Sequence, residues 1–165
     1  MEILDKNKEK GQSLLEALVA LGAAVLVVSA ITITVISALN NVQYTKNQNI
    51  ASQYAQESME VMRQTSLSNW NLFSSYTAGR YCMDGGTTLL RTIDPVSNSC
   101  GQNYGIFVRE VDITQNSPSC SGSALTAVTV SWSDSKCTDK NNQFCHNVSL
   151  KSCFANLNGT IFNTP

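Results

Sequence analysis

Residues 8–18 read Lys8-Glu9-Lys10-Gly11-Gln12-Ser13-Leu14-Leu15-Glu16-Ala17-Leu18, and the apolar run they open continues to Leu39. Within Ala17–Leu39, 18 of 23 residues are hydrophobic, and no charge occurs from Ala17 to Thr45. As a helix, a run of this length crosses the ~30 Å hydrocarbon layer of a bilayer. Lys6, Lys8 and Lys10 precede the run, and the first cation beyond it is Lys46. That asymmetry places the N-terminus on the cytoplasmic side. An ordinary secretory signal has a shorter apolar core and a small-residue cleavage site. Val28-Ser29-Ala30 offers such a site, yet Ile31, Ile33, Val35 and Ile36 carry the run past it. An uncleaved anchor is the other plain reading. Neither gives Glu16 a role. A carboxylate costs about 2.5–3.5 kcal/mol in mid-membrane, less near the edge, so an acid kept there is a functional candidate.

Composition narrows the class. The chain has 165 residues and a formal net charge of −1, from 11 basic and 12 acidic residues. That balance gives no basic surplus for nucleic acid. Only 14% of residues are charged, whereas Ser, Thr and Asn number 50, so the surface is polar without being ionic. Outside the apolar run the hydrophobic share is thin for a self-sufficient core. Six cysteines, at 82, 100, 120, 137, 145 and 153, all lie C-terminal to the run. An even number confined to one side of a membrane segment predicts disulfides in an oxidising compartment. No C-x2-C or C-x4-C pair exists, and the single histidine, His146, adjoins Cys145. That spacing is a poor start for tetrahedral zinc, so no metal site and no cofactor is expected.

The segment around Glu16 resembles the type IV prepilin leader and cleavage site: a short charged leader, a Gly, an acid at the fifth mature position, then an uninterrupted apolar helix. The resemblance covers roughly residues 6–40. It implies a leader, residues 1–11, removed by a membrane-bound prepilin peptidase that cuts between Gly11 and Gln12. It also implies N-terminal methylation of Gln12, and a filament-assembly role for Glu16 against the terminal amine of a neighbouring subunit. The implied partners are the peptidase, other pilin-like subunits and an inner-membrane assembly platform. The implied location is the inner membrane with the head outside the cytoplasm, then a surface or periplasmic filament. The chain departs from major pilins at Gln12, where Phe or Met is usual, and in lacking a Pro within the helix; a minor pilin or minor pseudopilin is the expected class. Chemically the pattern is coherent. Gly11 has no Cβ and lets a protease approach the backbone. Pairing an amine with a carboxylate removes two isolated charges from an apolar filament core.

No Gly or Pro occurs between Ala23 and Gly79. Ile50, Tyr54, Ser58, Val61, Met62 and Thr65 fall on one helical face, with Ala51 and Ala55 beside it. One helix is therefore expected over 12–66, roughly 80 Å long, membrane-spanning over about 14–39; the competing reading breaks it near Asn40-Asn41. A polar connection, 67–80, leads into a head over 67–165. Candidate strands are Thr87–Ile93, Tyr104–Ile113, Leu125–Trp132 and Asn147–Phe154, the last two as an antiparallel hairpin. The expected fold class is α+β, a long N-terminal helix packed on a small antiparallel sheet, as in the pilin-like fold. Six cysteines allow 15 pairings. In a hairpin with Val130 facing Leu150 and Trp132 facing Val148, Cys137 comes near Cys145. Cys82 and Cys100 close a local loop, leaving Cys120 for Cys153. The favoured set is 82–100, 120–153 and 137–145.

Catalytic motifs are lacking: there is no Gly-rich phosphate loop, nucleophile elbow or HExxH. His146 beside Cys145 suggests a thiol–imidazole pair, but neighbours in a strand point to opposite faces, so an exposed or loop-capping histidine is expected. Asp134, Asp139, Asn141 and Asn142 offer oxygen ligands without EF-hand spacing, and an ordinary solvated loop is expected there. Asn147-Val-Ser and Asn158-Gly-Thr match glycosylation sequons, which carry little weight beside a bacterial-type leader. The sequence therefore points to a structural filament subunit and not an enzyme. The rival, from another class, is a membrane-tethered or secreted adhesive module.

Overall fold

The computed structural model describes residues 5–95, 98–121, 123–134, 136–138 and 144–156, with side chains from Leu14 onward. The chain forms two compact units, 1–44 and 45–165. Its class is α+β: one long, apolar N-terminal helix and a five-stranded antiparallel sheet.

Helix α1 runs over Asp5–Ser68 without a break at Asn40-Asn41. It therefore starts within the segment expected to be a leader and not at Gln12, and ends two residues past Ser66. The cause of the early start is local: Lys and Glu are good helix formers, and one Gly costs only about 1 kcal/mol. In the first unit the apolar side chains are exposed, Leu26 by 73%. The hydroxyls among them are turned inward to the backbone: Ser29 Oγ donates to Val25 O (2.8 Å), Thr32 Oγ1 to Val28 O (2.9 Å) and Thr34 Oγ1 to Ile31 O (2.7 Å). Those bonds satisfy polar groups that lipid cannot. This segment is long and apolar enough to cross a membrane. It is suited to single-pass anchoring, and the disulfides of the second unit fit an extracytoplasmic head.

In the second unit the buried line of α1 is Ala51, Ala55, Ser58, Met62 and Ser66. The expected face was centred beside it: Ile50, Tyr54, Val61 and Thr65 are only half-buried. Four of the five side chains on this line are small, Met62 being the exception, while the larger neighbours flank the contact. Ser58 is buried and donates to Tyr54 O, 2.8 Å away. Ala55→Leu should therefore overpack the contact and lower head stability by about 1–3 kcal/mol, read as a lower denaturant midpoint.

A short helix, α2 (Trp70–Ser75), follows where only a polar connection was expected. Asn69 caps it by accepting from Leu72 N at 3.0 Å, and Phe73 is fully buried against Phe154. The strands are β1 (Gly79–Cys82), β2 (Arg91–Thr92), β3 (Phe107–Thr114), β4 (Ala124–Trp132) and β5 (His146–Phe154), ordered β2-β1-β3-β4-β5. The expected Thr87–Ile93 strand shrinks to two residues, and β1 was not foreseen. Gly79-Arg80-Tyr81-Cys82 is too short for alternation to declare itself.

Alternation in β4 is complete: Ala124, Thr126, Val128, Val130 and Trp132 are buried. They share the helix-side face with Phe107, Arg109, Val111 and Ile113 of β3. The hairpin register differs from expectation by two residues. Val128 pairs with Leu150, Val130 with Val148 and Trp132 with His146. A slip of two keeps every side chain on its face, so periodicity alone could not separate the two registers. On the opposite face, Cys82, Cys100 and Val108 form a second small cluster with Ile93 and Phe144. The disulfides are Cys82–Cys100, Cys120–Cys153 and Cys137–Cys145.

Candidate functional site

Two places concentrate unusual chemistry. The first is the N-terminal segment. Glu16 sits within α1, exposed, at the start of the apolar surface. Positions 12 and 16 are four residues apart along one helix, which puts them on the same face. Gly11 and Gln12 lie within the helical span. In the uncut chain the backbone nitrogen of Gln12 is an amide; only cleavage after Gly11 would turn it into an amine.

The second place is the tip of the β4–β5 hairpin, reached by Asp134, Cys137, Cys145 and His146. Register decides it. Because Trp132 pairs with His146, Cys145 precedes the first paired residue and escapes strand alternation. Cys145 and His146 therefore reach the same place, which corrects the expectation that strand geometry separates them. Of the two expectations for His146, exposed or loop-capping, the first does not hold: its side chain is 19% accessible and it lies at the loop end against Asp134. The ring packs on Trp132 with centroids 5.4 Å apart, and Nε2 lies 3.1 Å from Asp134 Oδ2. Asp134 organises the turn as well. Its Oδ1 accepts from Lys136 N at 2.8 Å, its carbonyl accepts from Cys137 N at 3.1 Å, and Cys137 Sγ lies 3.9 Å from Oδ1. One ligand atom from each of Asp134, Cys137, Cys145 and His146 falls within 4.8 Å of the others. Asp139, Asn141 and Asn142 lie outside the described residues, as does Asn158.

Burial of the Asp134 carboxyl opposes its ionisation, but the Lys136 N–H and the His146 ring outweigh it and hold the group below its ordinary value. A carboxylate depressed in the folded chain stabilises it above the ordinary carboxylate range, and that contribution is lost as pH falls through the depressed value. Asp134→Asn should thus lower stability at neutral pH and leave it unchanged at a pH where both forms are uncharged. Thermal melts of the two chains across the acid range measure the convergence.

A third arrangement holds the head together. Arg109 is 1% accessible at its side chain. Its Nε donates to Met83 O and its NH2 to Asp84 O, both at 2.9 Å. NH1 lies 3.6 Å from Glu57 on α1, and the guanidinium covers the Tyr104 ring at 4.6 Å. A Cβ at Gly85 would run into that same ring. Sequence reasoning missed Arg109 because an Arg at a buried strand position contradicts the apolar pattern; the alternation Phe107, Arg109, Val111, Ile113 was the available signal.

No family model matches the chain, and comparison with curated proteins and with solved structures finds no match.

Proposed function

We propose that this chain is a prepilin-type subunit of a type IV pilus-like or pseudopilus filament, with a pilin-like fold. The observation that carries the proposal is the spacing Gly11, Gln12, Glu16 ahead of an apolar helix with no further charge before Lys46. A plain anchor has no use for an acid there. A filament subunit does: after cleavage the new amine and the carboxylate of a neighbour neutralise each other in an apolar bundle. The architecture agrees with that use. One helix supplies an apolar surface along its first unit, and the second unit places a disulfide-closed sheet against the polar continuation of the same helix.

In this reading the chain's chemistry is that of a substrate. A peptidase in the inner membrane removes residues 1–11, methylation falls on Gln12, and an assembly platform extracts the mature subunit into the filament. Methylation has a particular use here, because a free N-terminal glutamine can cyclise and lose the amine that Glu16 needs. The test is the mature N-terminus, read by mass spectrometry of the chain coexpressed with a prepilin peptidase. Gln12 at the terminus, with its amine retained, supports the reading. Ile31 would mark ordinary secretion, and Met1 an uncleaved anchor.

A further inference from the structure

The Cys137–Cys145 disulfide closes a loop of sequence separation 8 beside a histidine and an aspartate that already face each other. A disulfide alone explains two of those four side chains. The others are positioned with care: Trp132 fixes the His146 ring from one side, and two backbone bonds fix the Asp134 turn. All four residues offer ligand atoms of the kinds zinc prefers, and the set is complete for a tetrahedron.

The distances fit. Nitrogen and oxygen ligands at about 2.05 Å from a tetrahedral ion stand about 3.3 Å apart. Nε2 of His146 and Oδ2 of Asp134 are 3.1 Å apart. Two thiolates at about 2.3 Å from the ion stand about 3.8 Å apart. With Cα atoms 5.5 Å apart, Cys137 and Cys145 reach that separation by turning their side chains once the S–S bond is open. Sulfur and carboxylate are already neighbours, Cys137 Sγ to Asp134 Oδ1 being 3.9 Å.

We propose that the reduced tip of the β4–β5 hairpin binds a thiophilic divalent cation of the zinc class through Cys137, Cys145, His146 and Asp134, and that formation of the Cys137–Cys145 disulfide expels it. The exchange balances with a disulfide oxidant such as oxidised glutathione. The two thiolates give up two electrons, their Sγ–Sγ bond forms and both metal–sulfur bonds break. The oxidant's S–S bond breaks into two thiolates, which take up protons, and the divalent cation leaves with its charge unchanged. The site thus belongs to the chain before oxidation, and its loss marks completion of the head. This inference stands apart from the filament reading, since it uses only the second unit.

The experiment uses the full chain in detergent, reduced anaerobically with a phosphine, and zinc chloride as the probe. Reduced wild type should retain one more zinc per chain after gel filtration than the Cys137→Ser/Cys145→Ser chain. Zinc should slow alkylation of Cys137 and Cys145 but not of Cys82, Cys100, Cys120 or Cys153, a readout that needs no variant. His146→Ala should weaken binding at least tenfold, and cobalt in place of zinc should give the intense visible bands of a four-coordinate thiolate site. Oxidised glutathione should release the metal in step with the Cys137–Cys145 bond. Equal zinc in the wild type and the double variant, uniform alkylation, or zinc retained after that disulfide has formed would each overturn the proposal.

Discussion

On the proposed filament reading, Glu16→Ala is expected to give a chain that is made, inserted and folded normally but is nearly absent from filaments. Glu16 is an exposed residue of the first unit, 1–44, and the head's core is drawn from residues 51–154. Head stability should therefore change by less than about 0.5 kcal/mol. In a filament the same substitution leaves a neighbour's amine uncompensated in apolar surroundings. Breaking such a pair costs about 3 kcal/mol or more, roughly a hundredfold in incorporation. The measurement is the ratio of variant to wild-type subunit in sheared filaments, normalised to the membrane fraction. Equal incorporation would remove Glu16 from assembly. Glu16→Gln separates charge from shape: it keeps the size of the side chain and should fail as the alanine variant does.

Arg109→Ala should be the most damaging single change in the head. It removes two donors from the carbonyls of Met83 and Asp84, withdraws the cation from Tyr104 and empties a large buried volume. Asn103 Nδ2 still reaches Met83 O at 3.4 Å and Thr87 still donates to Asp84 O, so neither carbonyl is stranded. What is lost is two hydrogen bonds from a charged group, about 1.5–3 kcal/mol each, and the packing of a buried side chain, and the total should reach about 3–5 kcal/mol. Lysine should not rescue it, because a single ammonium cannot reproduce a planar fork that serves two carbonyls and stacks on a ring. Asn103 sharpens the expectation. Its side chain accepts from Arg109 N at 2.8 Å and donates to Arg109 O at 2.9 Å, so the backbone stays placed while the side chain is lost. Urea unfolding followed by near-ultraviolet circular dichroism reads the loss, and a midpoint unchanged from wild type would deny Arg109 its role.

Much of this architecture was legible in the sequence, and the parts that were not have physical reasons. The long helix was readable because its apolar and small residues keep helical spacing with no Gly or Pro after Gly22 until Gly79. β4 and β5 were readable because they alternate over nine residues each. The favoured cysteine pairs coincide with those present even though the hairpin register used to reach them was off by two. Cystine linkage at a hairpin tip depends on which side chains come near the turn, and a slip of two preserves that. The same slip hid the cluster at the tip. With Trp132 placed opposite Val148, His146 would belong to the loop; opposite Trp132 itself, it stacks on that ring and meets Asp134. β1 and α2 were missed because four and six residues carry too little periodicity, and their stability comes from contacts made elsewhere, Tyr81 among the buried strands and Phe73 on Phe154.

The cystines of the head are nested, with Cys137–Cys145 lying inside the loop closed by Cys120–Cys153. A chain delivered N-terminus first presents its thiols in the order 82, 100, 120, 137, 145, 153. Cys82–Cys100 and Cys137–Cys145 each join neighbours in that order, but Cys120–Cys153 does not. Once the first pair has closed, Cys120 waits while Cys137 emerges, 17 residues on, and a thiol oxidant that acts at once would join those two. The native outcome then requires either that β4 and β5 zip together before Cys120 is oxidised, or that an isomerase later reshuffles the bond, a process of seconds to hours. Secretion of this head is accordingly sensitive to the ratio of oxidising to isomerising capacity around it, and its yield would fall in a host rich in the first and poor in the second.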